Sequence, residues 1–328
     1  MSRRRARRMR PAGLSACALA ILLASWGLLA DCRAQAQTAV TSAESEWRAD
    51  LDQWRERRAR EIDAPDGWLT LVGLDWLKPG ANSFGAAADN QIQIHAQAPD
   101  HIGLLTVSNK TVQLLSPSGG FPHDLTIDGQ PAREGPLVVE GAKPSIIGWH
   151  GLTMVALERG GRYELRTKDA DSPTRKGFHG LNWYAADPHL SVEAKWIPFT
   201  PPHIEKIPTV IGTTLDLPAP GVAELTMGDR TFRLEPVLEE PTDKTLFFIL
   251  RDETSRTTTY QAARFLHTGF PEHGLDKPGI LILDFNRLEN PPCAYTPYAT
   301  CPLPPEKNRL PVAIEAGEKR YAAETLEH

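Results

Sequence analysis

The chain is 328 residues long and carries 36 Lys and Arg against 41 Asp and Glu, a formal net charge of −5. That acidic balance argues against nucleic acid and against anionic membrane surfaces as partners. After the first thirty residues no apolar run is long enough to span a bilayer.

The N-terminus reads as a targeting segment. A basic stretch with arginines at 3, 4, 5, 7, 8 and 10 precedes the apolar run Leu14 to Leu29, and Ala34-Gln35-Ala36 supplies a small-x-small cleavage pattern. Residues 1–36 are therefore expected to be a signal peptide, and the mature protein periplasmic or secreted. A lipoprotein attached at Cys32 is the rival reading, disfavoured because Asp31 stands where a small residue is needed. Residues 1–36 hold seven arginines and one aspartate, so their removal takes the formal charge from −5 to −11. Cys17 and Cys32 leave with them, and Cys293 and Cys301 remain as an even number in an oxidising compartment. A disulfide is the plain reading. The C-x-x-C spacing of structural zinc is missing, and a catalytic thiol would have to stay reduced outside the cytoplasm.

Residues 42–62 read as an amphipathic helix. Thr41 and Glu44 have capping-box spacing, and Trp47, Leu51 and Trp54 fall on one face. The rest is expected to be mainly β, a sandwich or partly open barrel-like arrangement of sheets. Short runs at Trp68–Leu77, Gln91–His95, Thr111–Leu115 and Leu137–Glu140 end in Gly, Pro or Asn. Two hairpins are indicated, Leu152–Glu158 with Tyr163–Thr167 around Gly160-Gly161, and Ala223–Met227 with Arg230–Leu234 around Gly228-Asp229. Leu246–Leu250 and Ile280–Leu283 are unbroken apolar runs, as central strands would be. Pro198, Pro201 and Pro202 suggest a stiff connector between Lys195 and Thr209. It would divide one unit, 37–328, into β subdomains at roughly 65–200 and 205–325.

Four polar clusters stand at strand ends or in turns. The first runs from Arg159 to His179 and includes Arg166, whose guanidinium could clamp an anion. The second, Arg251 to Arg264, contains Asp252, Tyr260 and Arg264 directly after an apolar strand. Asp284, Asn286, Arg287 and Asn290 make the third, in which Asp284 and Asn286 share one side of a strand. Asn308, Arg309, Glu315 and Glu318 form the fourth. Each also has a bland reading as a solvated face, a turn or a cap. The ten histidines show no metal-ligand spacing, and no cofactor signature is present.

The residues together resemble a bacterial and archaeal family catalogued as domain of unknown function 1684. The likeness rests on Asp66-Gly67-Trp68-Leu69 with Gly73-Leu74-Asp75-Trp76-Leu77, Arg159-Gly160-Gly161-Arg162-Tyr163, Arg264-Phe265-Leu266, Asp284-Phe285-Asn286-Arg287, Asn290-Pro291-Pro292-Cys293, Cys301-Pro302-Leu303-Pro304 and Asn308-Arg309-Leu310. It implies that residues of about 47–321 form one family unit. It imports no catalytic residue, because the family has no assigned reaction. The chain departs from the pattern at Ser255-Arg256, where Ser-Gly is expected, and at Leu288-Glu289.

The functional expectation is an extracytoplasmic hydrolase or lyase acting on a small polar substrate, a sugar or acyl derivative. Asp284, Glu318 and Tyr260 are its expected catalytic groups, and Arg166, Asp252, Arg264, Asn286, Arg287, Asn290 and Asn308 its expected substrate-binding groups. A non-catalytic ligand- or glycan-binding envelope protein is the alternative, and an assembly factor docking through the proline loop is a third reading.

Overall fold

The computed structural model describes residues 42–321, apart from 142 and 241. The signal segment 1–36 and Thr41 of the capping box lie outside the described residues. The chain divides into a short first unit, Met1–Gln53, and a main unit, Trp54–His328. Helix α1 spans 42–62 as expected. Its first part carries an i,i+4 pair, Arg48 to Glu44 at 3.0 Å, and exposes every described side chain up to Gln53 except Trp47 and Leu51. Among the described residues no helix is long and apolar enough to cross a membrane.

The main unit is mainly β, without a closed barrel. Its first half contributes β1 (Leu71–Trp76), β2 (Gly80–Gly85), β3 (Ile92–Gln93), β4 (Gly103–Ser108), β5 (Thr111–Leu115), β6 (Thr126–Ile127), β7 (Gln130–Pro131), β8 (Gly135–Leu137), β9 (Ile146–Trp149), β10 (Leu152–Arg159) and β11 (Arg162–Asp169). They form a six-stranded sheet in the order β1-β11-β10-β9-β6-β7 and a five-stranded sheet in the order β3-β2-β4-β5-β8. Both sheets turn alternate residues onto one shared core. Phe84, Leu105 and Leu114 of one sheet are buried in the same cluster as Ile147, Met154 and Leu165 of the other. The β10–β11 hairpin closes at Arg159↔Arg162. Gly160 and Gly161 have φ of 60° and 81°, the left-handed backbone that a two-residue turn demands.

After the single helical turn α2 (Pro173–Lys176) come β12 (Ser191–Pro208), β13 (Thr214–Met227), β14 (Arg230–Leu234), β15 (Thr245–Leu250), β16 (Arg264–Gly269) and β17 (Gly279–Asp284). A four-stranded sheet runs β14-β13-β12-β17, and β15 and β16 form a sheet of two. The expected connector at Lys195 to Thr209 is instead most of β12. Its prolines lack ladder donors, and the strand absorbs them as a register shift between Pro198 and His203. Ile280–Leu283 is likewise no central strand. β17 is a sheet edge, with Ile280 and Ile282 exposed and Leu281 and Leu283 buried.

Among the described residues beyond β17 the regular elements are single 3-10 turns, at Phe285–Arg287, Pro292–Ala294 and Glu306–Asn308. Isolated bridges join this tail to the body, Phe265 with Glu289, Arg251 with Arg309, Thr209 with Pro302 and Trp183 with Glu318. Cys293 and Cys301 lie at disulfide distance, with Cα atoms 6.1 Å apart.

Candidate functional site

A tail without regular structure must satisfy its backbone with side chains, and most of the residues singled out by sequence serve that end. Glu318 is 1% exposed. Its Oε1 accepts Arg58 Nε at 3.0 Å, and its Oε2 accepts the Asn290 N–H at 2.7 Å and the Tyr295 hydroxyl at 2.8 Å. Arg58, on α1, also reaches Glu289 at 3.2 Å and donates to Asn290 O at 2.9 Å. Burial works against the Arg58 charge, but Glu289 and Glu318 outweigh it and hold its pKa above the ordinary value. Burial pushes the Glu289 carboxyl up and keeps the Tyr295 phenol well above its usual range, with Glu318 adding to both. Glu318 is thus enclosed among donors.

The other expected groups are similarly employed. Asp252 accepts the Thr254 N–H and hydroxyl at 2.8 and 2.6 Å and pairs with Arg264 at 2.8 Å. Arg264, 1% exposed, donates to Ile314 O at 2.9 Å and to Ala316 O, so this ion pair holds the tail's last turn. Asn308 accepts the Glu235 N–H at 2.9 Å and donates to Glu235 O and Ile249 O. Asn286 exchanges two bonds with the Asp187 backbone, at 2.9 and 2.8 Å. Asp284 caps the turn at Asn286 N and meets Arg287 at 3.3 Å, and the Tyr260 hydroxyl donates to Cys293 O at 3.0 Å. Arg166 pairs at 3.1 Å with Glu164, which is fully buried and has its pKa raised by that burial.

The second and fourth clusters do meet. The Arg251–Arg309 bridge brings them to one cleft of about 210 Å³, lined by Arg251, Asp252, Glu253, Ser255, Arg256, Arg309, Leu310 and Pro311. Among the described residues the grouping with metal-ligand geometry is His203, Glu205 and Glu235. Lys307 Nζ stands 3.0 Å from Glu205 and 2.6 Å from Glu235, where a cation would sit.

The most site-like geometry lies elsewhere, at the open end of the two sheets in the first half of the main unit. In the β1–β11 ladder Gly73 stands opposite Thr167 and Asp75 opposite Leu165, so Asp75 and Thr167 face the inter-sheet space together with Leu165. They line a cavity of about 160 Å³ with Gly73, Gln93, His95 and Tyr298. A Cβ at Gly73 would stand 3.4 Å from Thr167 Cβ and 3.5 Å from Asp75 Oδ2, so the glycine keeps this space open. Thr167 is 1% exposed and its hydroxyl has no hydrogen-bond partner among the described residues. Burial raises the Asp75 pKa, and the neighbouring His95 pulls it part of the way back. His95 also lines a second, wider cavity of about 510 Å³ with Trp149, His150, Asp169, Asp171 and Lys176. Tyr298 arrives from the segment between the two cysteines, fastened by Thr296 Oγ1 donating to Leu71 O at 2.9 Å.

Sequence reasoning did not select Asp75, His95, Thr167 or Tyr298. The available signal was Asp75 itself, an acid in an otherwise apolar strand, two residues before the buried Leu77.

The family model described as a protein of unknown function, DUF1684, matches residues 176–319. That stretch contains the arginine-lined cleft whole; to the Asp75 cavity it contributes Tyr298. The solution structure of an uncharacterized protein of Haloarcula marismortui is 28% identical, covering 48% of this chain and 83% of that one with a TM-score of 0.39. No curated protein matches.

Proposed function

We propose that the protein is an exported hydrolase acting on a small polar substrate, such as a sugar or acyl derivative, held in the cavity at Asp75. The observation that carries this reading is the Thr167 hydroxyl, buried and unpartnered on a cavity wall shared with Asp75 and His95. A buried polar group without a partner costs about 1–3 kcal/mol, so its retention favours a ligand that satisfies it. In this scheme the Asp75 carboxylate takes a proton from the attacking water, which adds to the substrate's electrophilic carbon. His95 at the mouth returns a proton to the leaving group. Thr167 fixes the substrate by a hydrogen bond, and Trp149, Asp169 and Lys176 line the wider space for the remainder of the molecule. A raised pKa suits Asp75 to proton transfer nearer neutrality than an ordinary carboxylate allows. The carboxylate role thereby falls to Asp75 rather than to Asp284 or Glu318, whose oxygens hold the backbone.

The test is turnover of chromogenic glycosides and acyl esters by the purified protein and by Asp75→Asn. The expected outcome is a loss of about 100-fold or more in kcat/KM. Equal activity in Asp75→Asn would remove Asp75 from the chemistry. Saturable thermal stabilisation by these compounds without turnover would make the cavity the site of a binding protein.

A further inference from the structure

We propose that the cleft between the turn after β15 and the tail binds the phosphate group of a small ligand. The site is separate from the Asp75 cavity and built from different residues. Three arginines line it, Arg251, Arg256 and Arg309, with the Ser255 hydroxyl.

The charges do not cancel. Asp252 turns both oxygens inward, to Arg264 and to the Thr254 and Ile314 N–H groups, so its charge is already answered within the core. Glu253 is met by Arg256 at 3.2 Å. Arg251 and Arg309 then remain as a surplus of two positive charges in a protein of net −5. A phosphate monoester carries about −1.5 to −2 at neutral pH, with three acceptor oxygens.

The guanidinium groups are also held in place. Arg251 Nε donates to Ser255 Oγ at 2.9 Å, and Ser255 Oγ donates to Asp252 O at 2.7 Å, which fixes the arginine plane. The terminal nitrogens of Arg251 have no partner among the described residues. Arg309 Nε and Nη2 share one acceptor, Pro304 O, each at 3.3 Å, a long pairing that leaves donor capacity. The backbone sets the two arginines side by side, with Arg251 N donating to Asn308 O at 3.1 Å and Leu310 N to Arg251 O at 2.7 Å. Preset forks of this kind match phosphate oxygens bidentately at little entropic cost. A volume of about 210 Å³ is below the roughly 300–1,000 Å³ of drug-sized sites, so the ligand is small.

The experiment is calorimetric titration of the whole protein with inorganic phosphate, against sodium chloride at matched ionic strength. Saturable binding in the wild type, weakened at least ten-fold in Arg309→Gln and in Arg251→Gln, is the expected result. Asp75→Asn should bind phosphate as the wild type does, which separates this site from the proposed hydrolase cavity. A response that the chloride control reproduces, or that both arginine variants retain, overturns the proposal. A second measurement needs no variant. Phosphate should protect Arg251 and Arg309 of the wild-type protein from an arginine-specific dicarbonyl reagent, and equal labelling with and without phosphate would refute the site.

Discussion

Arg58 ties the end of the first helix to the tail. One guanidinium answers two carboxylates, Glu318 and Glu289, at 3.0 and 3.2 Å, both of them shielded from water. Removing it leaves the Glu318 charge buried without its cation, so Arg58→Ala should lose about 3–5 kcal/mol in urea denaturation. Glu318→Gln, which keeps an acceptor for Asn290 N and Tyr295, should lose less. Asp75 is expected to behave in the opposite way. Its folded pKa lies above the ordinary 3.8, so the folded chain holds that proton to higher pH than the unfolded chain does. Its contribution to stability therefore falls as pH rises from about 3.8 through the folded value. Asp75→Asn should accordingly melt at a higher temperature than wild type at pH 7, with a smaller gain at pH 4, while losing activity. A sequence shows which residues are polar and clustered; it does not show which oxygens are already occupied. Asp284, Glu318 and Asn308 read as site residues for that reason, and Thr167 was passed over because an unpartnered hydroxyl is visible only in three dimensions.

At the scale of elements, what was legible is what local rules determine. The two hairpins, the helix at 42–62 and the strand Thr111–Leu115 follow from turn glycines and periodicity. The errors arose where tertiary pairing overrides local propensity. β12 carries four prolines and still runs 18 residues, because β17 supplies the ladder over Ser191–Trp196 and β13 continues it from Lys195 to Pro208 across the register shift. β17 looked central because Ile280 and Ile282 are apolar, yet they are the exposed pair of an edge strand. The tail offers a sharp test of close packing. Gly317 has a φ of +74°, and a Cβ there would stand 2.6 Å from Leu288 Cβ and against the Leu288 carbonyl, which accepts the Glu318 N–H at 2.7 Å. Gly317→Ala should therefore displace Glu318 from Arg58 and Tyr295. We expect a fall in melting temperature comparable to that of Glu318→Ala, and little additivity between the two.

For the whole molecule, the tail loop closed by the cysteine pair carries the contacts with the first-half sheets, Thr296 with Leu71 O and Tyr298 at the Asp75 cavity. The cysteines are eight residues apart, so a closed loop of this size contributes about 2–3 kcal/mol on chain-entropy grounds. Cys293→Ser with Cys301→Ser should lose roughly that amount in a denaturant titration. It should also weaken substrate binding at the Asp75 cavity, since Tyr298 belongs to the loop that the two cysteines close. Unchanged KM in the double variant would show that Thr296 alone positions the loop.

The Arg58–Glu318 pair joins residues 260 positions apart, and Arg264 reaches Ile314 and Ala316 across the same final stretch. The first spans nearly the whole described chain, and such a contact forms only after the cost of closing the intervening chain has been met. Arg58 of the first helix has its full set of counter-charges only once both Glu289 and Glu318 have docked. A chain truncated at Val312 keeps the first and lacks the second, and should stay protease-sensitive however long it is incubated.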